Sequence, residues 1–252
     1  MNADESWLLK EKYHGEKTEG FFTDSDRLRN GEPLAYVIGH IPFLSTIISL
    51  DSHPLIPRPE TEFWVEKAIS EIHTDVRLRK SNIHVLDLCA GSGCIGVAIL
   101  KAIPDAQVDF VELDATHHST IRKNIEINHI DGSRTQIFGG DLYENITGEY
   151  DYILTNPPYI DPEVDRTEPS VKNYEPHLAL YGGTHGLELI SRIITEGSNY
   201  LTENGTLYIE HEPEQSTAIL ELGESHGFAV ITEKDQYDRE RYSMLAKMPK
   251  PL

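Results

Sequence analysis

The sequence predicts an α/β protein built on an open, doubly wound, mostly parallel seven-stranded sheet. Three observations carry this expectation: a length of 252 residues, a regular exchange of short apolar runs with helix-period segments after Ser81, and a glycine-rich turn that ends the first of those runs. That length holds one full α/β domain and a small extra module. Parallel strands need crossover connections, and the helices that supply them cover both faces of the sheet.

Taken in order, residues 1–40 are charged and carry only scattered apolar anchors, among them Trp7, Leu8, Phe21 and Phe22. They read as two or three short helices. Residues 42–55 (PFLSTIISLDSHPL) alternate apolar and small residues and predict a β-hairpin with Asp51, Ser52 and His53 near its turns. A helix over 60–73 follows, with Phe63, Trp64, Val65, Ala68, Ile69 and Ile72 on one buried face. The expected organisation is therefore a helical segment (1–40), a hairpin linker (41–58) and a main domain (59–252). Within that domain the strands are IHVLDL, AQVDFVEL, RTQIFGG, YDYILTN, GTLYIE, FAVITE and RYSMLAKM. The intervening helices are CIGVAILKAI, TIRKNIEINHI, LELISRIITEGSNYL and EQSTAILELGESH.

Composition narrows the function. Lys and Arg total 22 against 42 Asp and Glu, a net charge of −20 that repels phosphate backbones and anionic lipid. Sequence-independent nucleic-acid binding is disfavoured, and no run approaches the roughly 18 to 20 apolar residues of a membrane span. The N-terminal sequence lacks the layout of a signal peptide. Cys89 and Cys94 read as reduced thiols, so a cytoplasmic protein is expected. Neither Cys-x-x-Cys nor His-Glu-x-x-His spacing occurs, and no metal site is expected. The acidic run from Glu210 to Glu214 reads as a solvated helix start.

In doubly wound sheets ligands sit outside the carboxyl ends of the strands. The first such end is Asp87-Leu88-Cys89-Ala90-Gly91-Ser92-Gly93-Cys94-Ile95-Gly96, where glycines permit a tight turn and bare backbone amides. Glu112 lies 21 residues beyond Gly91 at the next strand end, where a carboxylate grips ribose hydroxyls. This pattern alone fits NAD and S-adenosyl-L-methionine alike, because both contain an adenosine. Asp87 favours the second, since its carboxylate suits a cationic amino-acid group and would repel a pyrophosphate. The next decisive element is Asn156-Pro157-Pro158-Tyr159, directly after YDYILT. An amide or exocyclic amine is a poor nucleophile, and the Asn156 side-chain oxygen and Pro157 carbonyl can each accept one of its hydrogens. Two prolines stiffen that backbone, and Tyr159 offers a flat packing face. Alignment of this kind is worth roughly 7 to 11 kcal/mol without a general base or metal.

The chain resembles the peptide chain release factor N5-glutamine methyltransferases, the HemK-like branch of class I methyltransferases, over about residues 31–247. The resemblance rests on GEPLAYVIG (from Gly31), LIPRPETE (from Leu55), VLDLCAGSG, NPPYI, and Tyr174-Glu175-Pro176 with Ala179-Leu180. NPPY is shared with nucleic-acid amino-methyltransferases, whereas IPRPETE is far more specific. The resemblance implies methyl transfer from S-adenosyl-L-methionine to the glutamine of a release factor's Gly-Gly-Gln loop. It places the cofactor against Cys89, Ala90, Gly91, Ser92 and Gly93, just beyond Asp87, with Glu112 on the ribose and Asp141 and Leu142 beside the adenine. It places the glutamine against Asn156, Pro157, Pro158 and Tyr159, with Arg58, Glu60, Thr61 and Glu62 near the front of the pocket. It also implies a Rossmann-like fold with a helical N-terminal module and a hairpin linker. Three departures stand out: a helical module about half the usual length before Gly31, Cys89 and Ala90 at usual glycine or threonine positions, and Glu112 where Asp is common. A monomer acting on a protein substrate, with no direct nucleic-acid contact, is expected. The alternatives from the same residues are a nucleic-acid amino-methyltransferase, an NAD-dependent oxidoreductase and a binding-only module.

Overall fold

A computed structural model describes residues 2–79 and 82–249. The chain opens with α1 (Ala3–Glu11), α2 (Glu19–Arg29) and α3 (Leu34–Ile38). Asn2 and Glu5 form a reciprocal capping box on α1, and the Thr18 hydroxyl accepts the Phe21 N–H of α2. Leu8, Phe21 and Val37 form the small core of these helices. The hairpin follows as β1 (His40–Phe43) and β2 (Thr46–Ser49). Its turn therefore lies at Leu44-Ser45, earlier than the 42–55 reading, and Asp51 to His53 belong to the connector beyond it. Glu62 fixes that turn by accepting the Leu44 N–H at 2.6 Å.

The helix expected over 60–73 is longer, α4 (Pro59–Arg79). The remaining elements are β3 (Ile83–Leu88), α5 (Cys94–Ala102), β4 (Ala106–Glu112), α6 (His118–Ile127), β5 (Thr135–Gly139), β6 (Tyr150–Thr155), α7 (Pro169–Tyr174), α8 (Glu188–Gly197), β7 (Leu201–Glu210), α9 (Ser216–Ser225), β8 (Phe228–Lys234) and β9 (Glu240–Lys247). Two readings change here. Leu201 opens β7 instead of ending the preceding helix, so the strand expected from Gly205 begins four residues earlier, with an irregularity between Leu201 and Thr206 where β7 shifts register against β6. The short helix α7 was not expected.

The seven strands lie in the order β5-β4-β3-β6-β7-β9-β8, all parallel except β9, which runs against both neighbours. From β3 the chain winds first toward β5 and later, from β6, toward β8. The crevice of such a sheet opens where the winding reverses, between the carboxyl ends of β3 and β6. Successive residues of β3 face opposite layers: Val85 joins the core with Trp64, Ile72, Ile99 and Ile121, and Leu86 joins the core with Ile190, Ile194 and Ile219. Both faces are thus covered by helices. The hairpin is tied to the first layer by α6, where Asn124 accepts the Ser49 N–H at 2.7 Å and donates to the Ser92 carbonyl at 2.9 Å. Asn128 repeats the device one turn on, bonding Ile47. Among the described residues no helix is long and apolar enough to cross a membrane.

Candidate active site

The crevice holds two cavities that share walls. The larger, of about 320 Å³, is lined by the loop after β3 (Cys89 to Ser92), by Glu112, Asp141 and Leu142 at the ends of β4 and β5, and by Asn156 and Pro158. The smaller, of about 190 Å³, is lined by Arg58, Asn156, Pro157, Tyr159, Thr167 and Glu212 among others. Leu55, Asn156 and Ala179 face both.

The loop after β3 is bent by left-handed backbone at Cys89 (φ 61°), Gly91 (φ 54°) and Gly93 (φ 76°). Cys89 adopts that conformation with a side chain, at a cost of about 1 to 2 kcal/mol. Its thiol pKa is pushed up to about 12, chiefly by burial and next by the Glu112 carboxylate. The Glu112 side chain lines the cavity and accepts the Gly91 N–H at 2.7 Å and the Asp114 N–H at 2.8 Å. The extra methylene of glutamate is thus used to fold the carboxylate back onto the loop, leaving further lone pairs for donors in the cavity. Asp141 pairs at 2.9 Å with Arg192, which lines the same cavity.

Four of the residues expected at the site line neither cavity. Asp87 is fully buried behind the loop, where Oδ2 accepts the Gly96 N–H at 2.8 Å and Oδ1 has no partner among the described residues. Burial holds its carboxyl well above the usual range, against the effect of that N–H, and the Glu112 charge adds to the rise. Gly93 is a packing position: a Cβ there would meet Ile121 and Phe110 at 3.2 to 3.3 Å. Glu60 and Glu62 stand on the first turn of α4 outside both cavities. Arg58 lines the smaller cavity and also pairs with Glu175 at 2.6 Å, whose other oxygen accepts the Ile56 N–H at 3.0 Å.

Asn156 directly follows β6, and its amide is held from one side. Its Nδ2 donates to the Thr61 hydroxyl at 3.1 Å, while among the described residues no protein donor bonds its Oδ1 or the Pro157 carbonyl. The two prolines and Tyr159 run over a loop of small residues. A Cβ at Gly186 (φ 67°) would run into the Tyr159 carbonyl, and one at Gly182 would lie 2.9 Å from the Tyr159 Cα. Gln215 donates to the Tyr159 carbonyl at 2.8 Å, and Ile160 exchanges backbone bonds with Leu180 and Gly182. The Tyr159 hydroxyl donates to Glu210 at 3.0 Å.

Thr61 lines the larger cavity, as the segment from Glu60 to Glu62 led one to expect, and its partner Glu210 is what the sequence reading missed. It is 1% exposed and His211 fully buried, so the run from Glu210 is not a solvated start, although a short helix does begin at Pro213. Glu210 accepts from Thr61, from the Trp64 indole and from Tyr159, and burial raises its carboxyl against those bonds and the Arg241 charge. A glutamate closing an apolar strand (LYIE) was the available signal.

A family model described as "Methyltransferase small domain" matches residues 71–172. A methyltransferase from Pyrococcus furiosus shares the fold, with a TM-score of 0.58 at 17% identity over 90% of this chain and 98% of that one. With the paired cavities at the reversal of the sheet, this defines the fold class, one shared with methyltransferases. The release factor glutamine methyltransferase of Agrobacterium fabrum is 33% identical over 84% of this chain and 73% of its own length. The ribosomal protein uL3 glutamine methyltransferase of Francisella tularensis is 36% identical over 71% of this chain and 56% of its own. The chain belongs to the release factor glutamine methyltransferase family.

Proposed function

We propose that the enzyme transfers a methyl group from S-adenosyl-L-methionine to the side-chain amide nitrogen of a glutamine in the Gly-Gly-Gln loop of a release factor. One observation supports this most: Asn156 stands in the wall common to both cavities, with its Oδ1 accessible and its Nδ2 already engaged.

The residues of the larger cavity fit the cofactor. Its volume is within the range of small-molecule sites. A Cβ at Gly91 would meet nothing within 4 Å, so the loop presents bare backbone toward the crevice. Glu112 would accept from ribose hydroxyls, and Asp141 with Leu142 would flank the adenine. When bound, the cofactor supplies an electrophilic methyl group on a sulfonium. The chain's own part is alignment. Asn156 Oδ1 and the Pro157 carbonyl take the two N–H groups of the substrate amide, which turns the nitrogen lone pair toward the shared wall. Tyr159 and Pro157 confine the amide plane. Arg58, fixed by Glu175, sits at the edge of the smaller cavity with most of its side chain covered.

The test is incubation with labelled S-adenosyl-L-methionine and, in separate arms, a release factor, ribosomal protein uL3 and an adenine-containing duplex, with mass spectrometry locating the methyl group. Label on the Gly-Gly-Gln glutamine supports the assignment, and label on the duplex alone overturns it. Asn156→Ala removes one acceptor and should lower turnover by ~10²-fold. Near-normal turnover of that variant would refute the role given to Asn156.

A further inference from the structure

We infer that Thr61 and Glu210 are positioning residues that dictate which end of the Asn156 amide faces the substrate. The inference rests on the role proposed for Asn156. An asparagine amide is nearly symmetric in shape but opposite in hydrogen-bond sense at its two ends. Turned one way, Asn156 offers an acceptor to the substrate N–H; turned the other way, it offers a second donor, and two N–H groups oppose each other. Something must choose between them.

The choice is made by a chain of three groups. Glu210 is buried, and its Oε2 receives both the Trp64 indole N–H at 2.7 Å and the Thr61 hydroxyl at 2.7 Å. The indole is a donor only, so the Glu210 atom facing Trp64 and Thr61 must be an acceptor. With Oε2 carrying no proton of its own, Thr61 gives its single proton to Glu210 and has only lone pairs left for Asn156. The group it accepts at 3.1 Å must be Nδ2, which leaves Oδ1 for the cavity. Each group is held by packing as well: Thr61 is 1% exposed, Glu210 is 1% exposed, and Trp64 is fully buried. The second carboxylate oxygen takes the Tyr159 hydroxyl, so one buried glutamate orients both the acceptor and the aromatic residue of the same loop. Thr61 belongs to α4 and Glu210 ends β7, so the orientation is imposed from two elements outside the loop that it controls.

The arrangement distinguishes substitutions that look alike. Thr61→Val keeps the shape and removes the hydroxyl, freeing the Asn156 amide to turn. Thr61→Ser restores both the donor and the acceptor. Glu210→Gln keeps an acceptor beside Trp64 and Thr61 when its oxygen faces them, which the indole N–H enforces. Its NH₂ then faces the Tyr159 oxygen, which can accept. Glu210→Leu keeps none of this.

The experiment is steady-state methylation of a release factor by Thr61→Val, Thr61→Ser, Glu210→Gln and Asn156→Ala, and by the double variant Thr61→Val/Asn156→Ala. Calorimetric titration of S-adenosyl-L-methionine and thermal melts accompany each. An acceptor mismatch of this kind lowers kcat by about 10- to 100-fold in Thr61→Val; because Thr61 also lines the larger cavity, the calorimetric titration separates that loss from any change in cofactor affinity. Thr61→Ser and Glu210→Gln retain most of the activity. In the Asn156→Ala background Thr61→Val costs nothing further, because there is no amide left to orient; a merely structural contribution would persist there. Full activity of Thr61→Val, or losses from Thr61→Val and Asn156→Ala that multiply, overturns the inference while leaving the role of Asn156 intact. Full activity of Asn156→Ala overturns the underlying role instead. If Thr61→Val melts before assay, Glu210→Gln decides: its inactivity in a folded protein contradicts the acceptor requirement, and its activity supports it.

Discussion

Gly96→Ala is a change of one methyl group whose cost can be worked from the coordinates. Gly96 is the third residue of α5, and its N–H is the one that Asp87 accepts. An added Cβ would run into Phe110 Cε1 and lie 2.7 Å from Phe110 Cζ and 2.9 Å from Val108 Cγ1. Phe110 and Val108 are fully buried on β4, so neither can swing into solvent. Helix and strand must separate or the ring must leave its rotamer, an overpacking cost of about 1 to 3 kcal/mol or more. Alanine returns up to about 1 kcal/mol in helix propensity, less in a first turn than in a helix interior. The clash wins, with a net loss of about 2 kcal/mol. For a chain of this size that lowers the melting temperature by about 4 to 8 °C. Because Cys94 and Ile95 of the same turn line the larger cavity, cofactor binding weakens with it. Thermal melts and calorimetry on the variant check both effects. A melting temperature equal to or above the parent's would refute the claim that this close approach sets the seat of α5.

Other outcomes follow from the same geometry. Glu112→Ala removes a charged acceptor for ribose donors worth about 3 kcal/mol in all, so S-adenosyl-L-methionine affinity falls by ~10²-fold while the fold persists; calorimetry showing unchanged affinity contradicts the assignment. Arg58→Ala leaves the Glu175 carboxylate, 4% exposed, without its cation. Arg58 is itself partly exposed, so the loss is about 2 kcal/mol, below that of a fully buried pair; a urea titration reads it directly. Burial, helped by the Arg241 charge, lowers the His211 pKa to about 4 from 6.5. The unfolded chain then binds the proton first, so stability is complete above pH 6.5 and falls by about 3 kcal/mol as pH drops toward 4. Denaturation of His211→Gln across that range should show a shallower acid slope, and an unchanged slope argues against the shift.

The parts legible in the sequence were those whose cause is local. IHVLDL coincides with β3, and the positions of Cys89, Glu112 and Asn156 at strand ends follow from alternation alone. The hairpin was placed late because its apolar run continues past Ser49 into residues that pack without pairing. The helix expected through Leu201 ends at Gly197, because Tyr150 claims Leu201 and Tyr200 as strand partners. Asp87 was read as a cavity residue from its place before the loop, yet its side chain points under α5; strand position alone does not say which face a terminal residue takes when the chain turns. The contact between Thr61 and Glu210 was invisible for a different reason. They are separated by 149 residues, and each looks ordinary in its own window: a threonine in a helix start and a glutamate in an acidic run.

The reversed strand β9 has a consequence for the order in which the enzyme becomes competent. Because β9 runs backward between β7 and β8, its first residues, not its last, arrive beside Glu210: Tyr242 is the register partner of Glu210 and stacks on Trp64 at 5.9 Å. The next residue back, Arg241, accepts the His211 N–H on its carbonyl. A nascent chain that has exposed every cavity-lining residue therefore still lacks the wall behind its glutamate. Catalytic readiness waits on β9, so a polypeptide stopped before Glu240 would carry the whole inventory of reacting groups without the strand that backs Glu210.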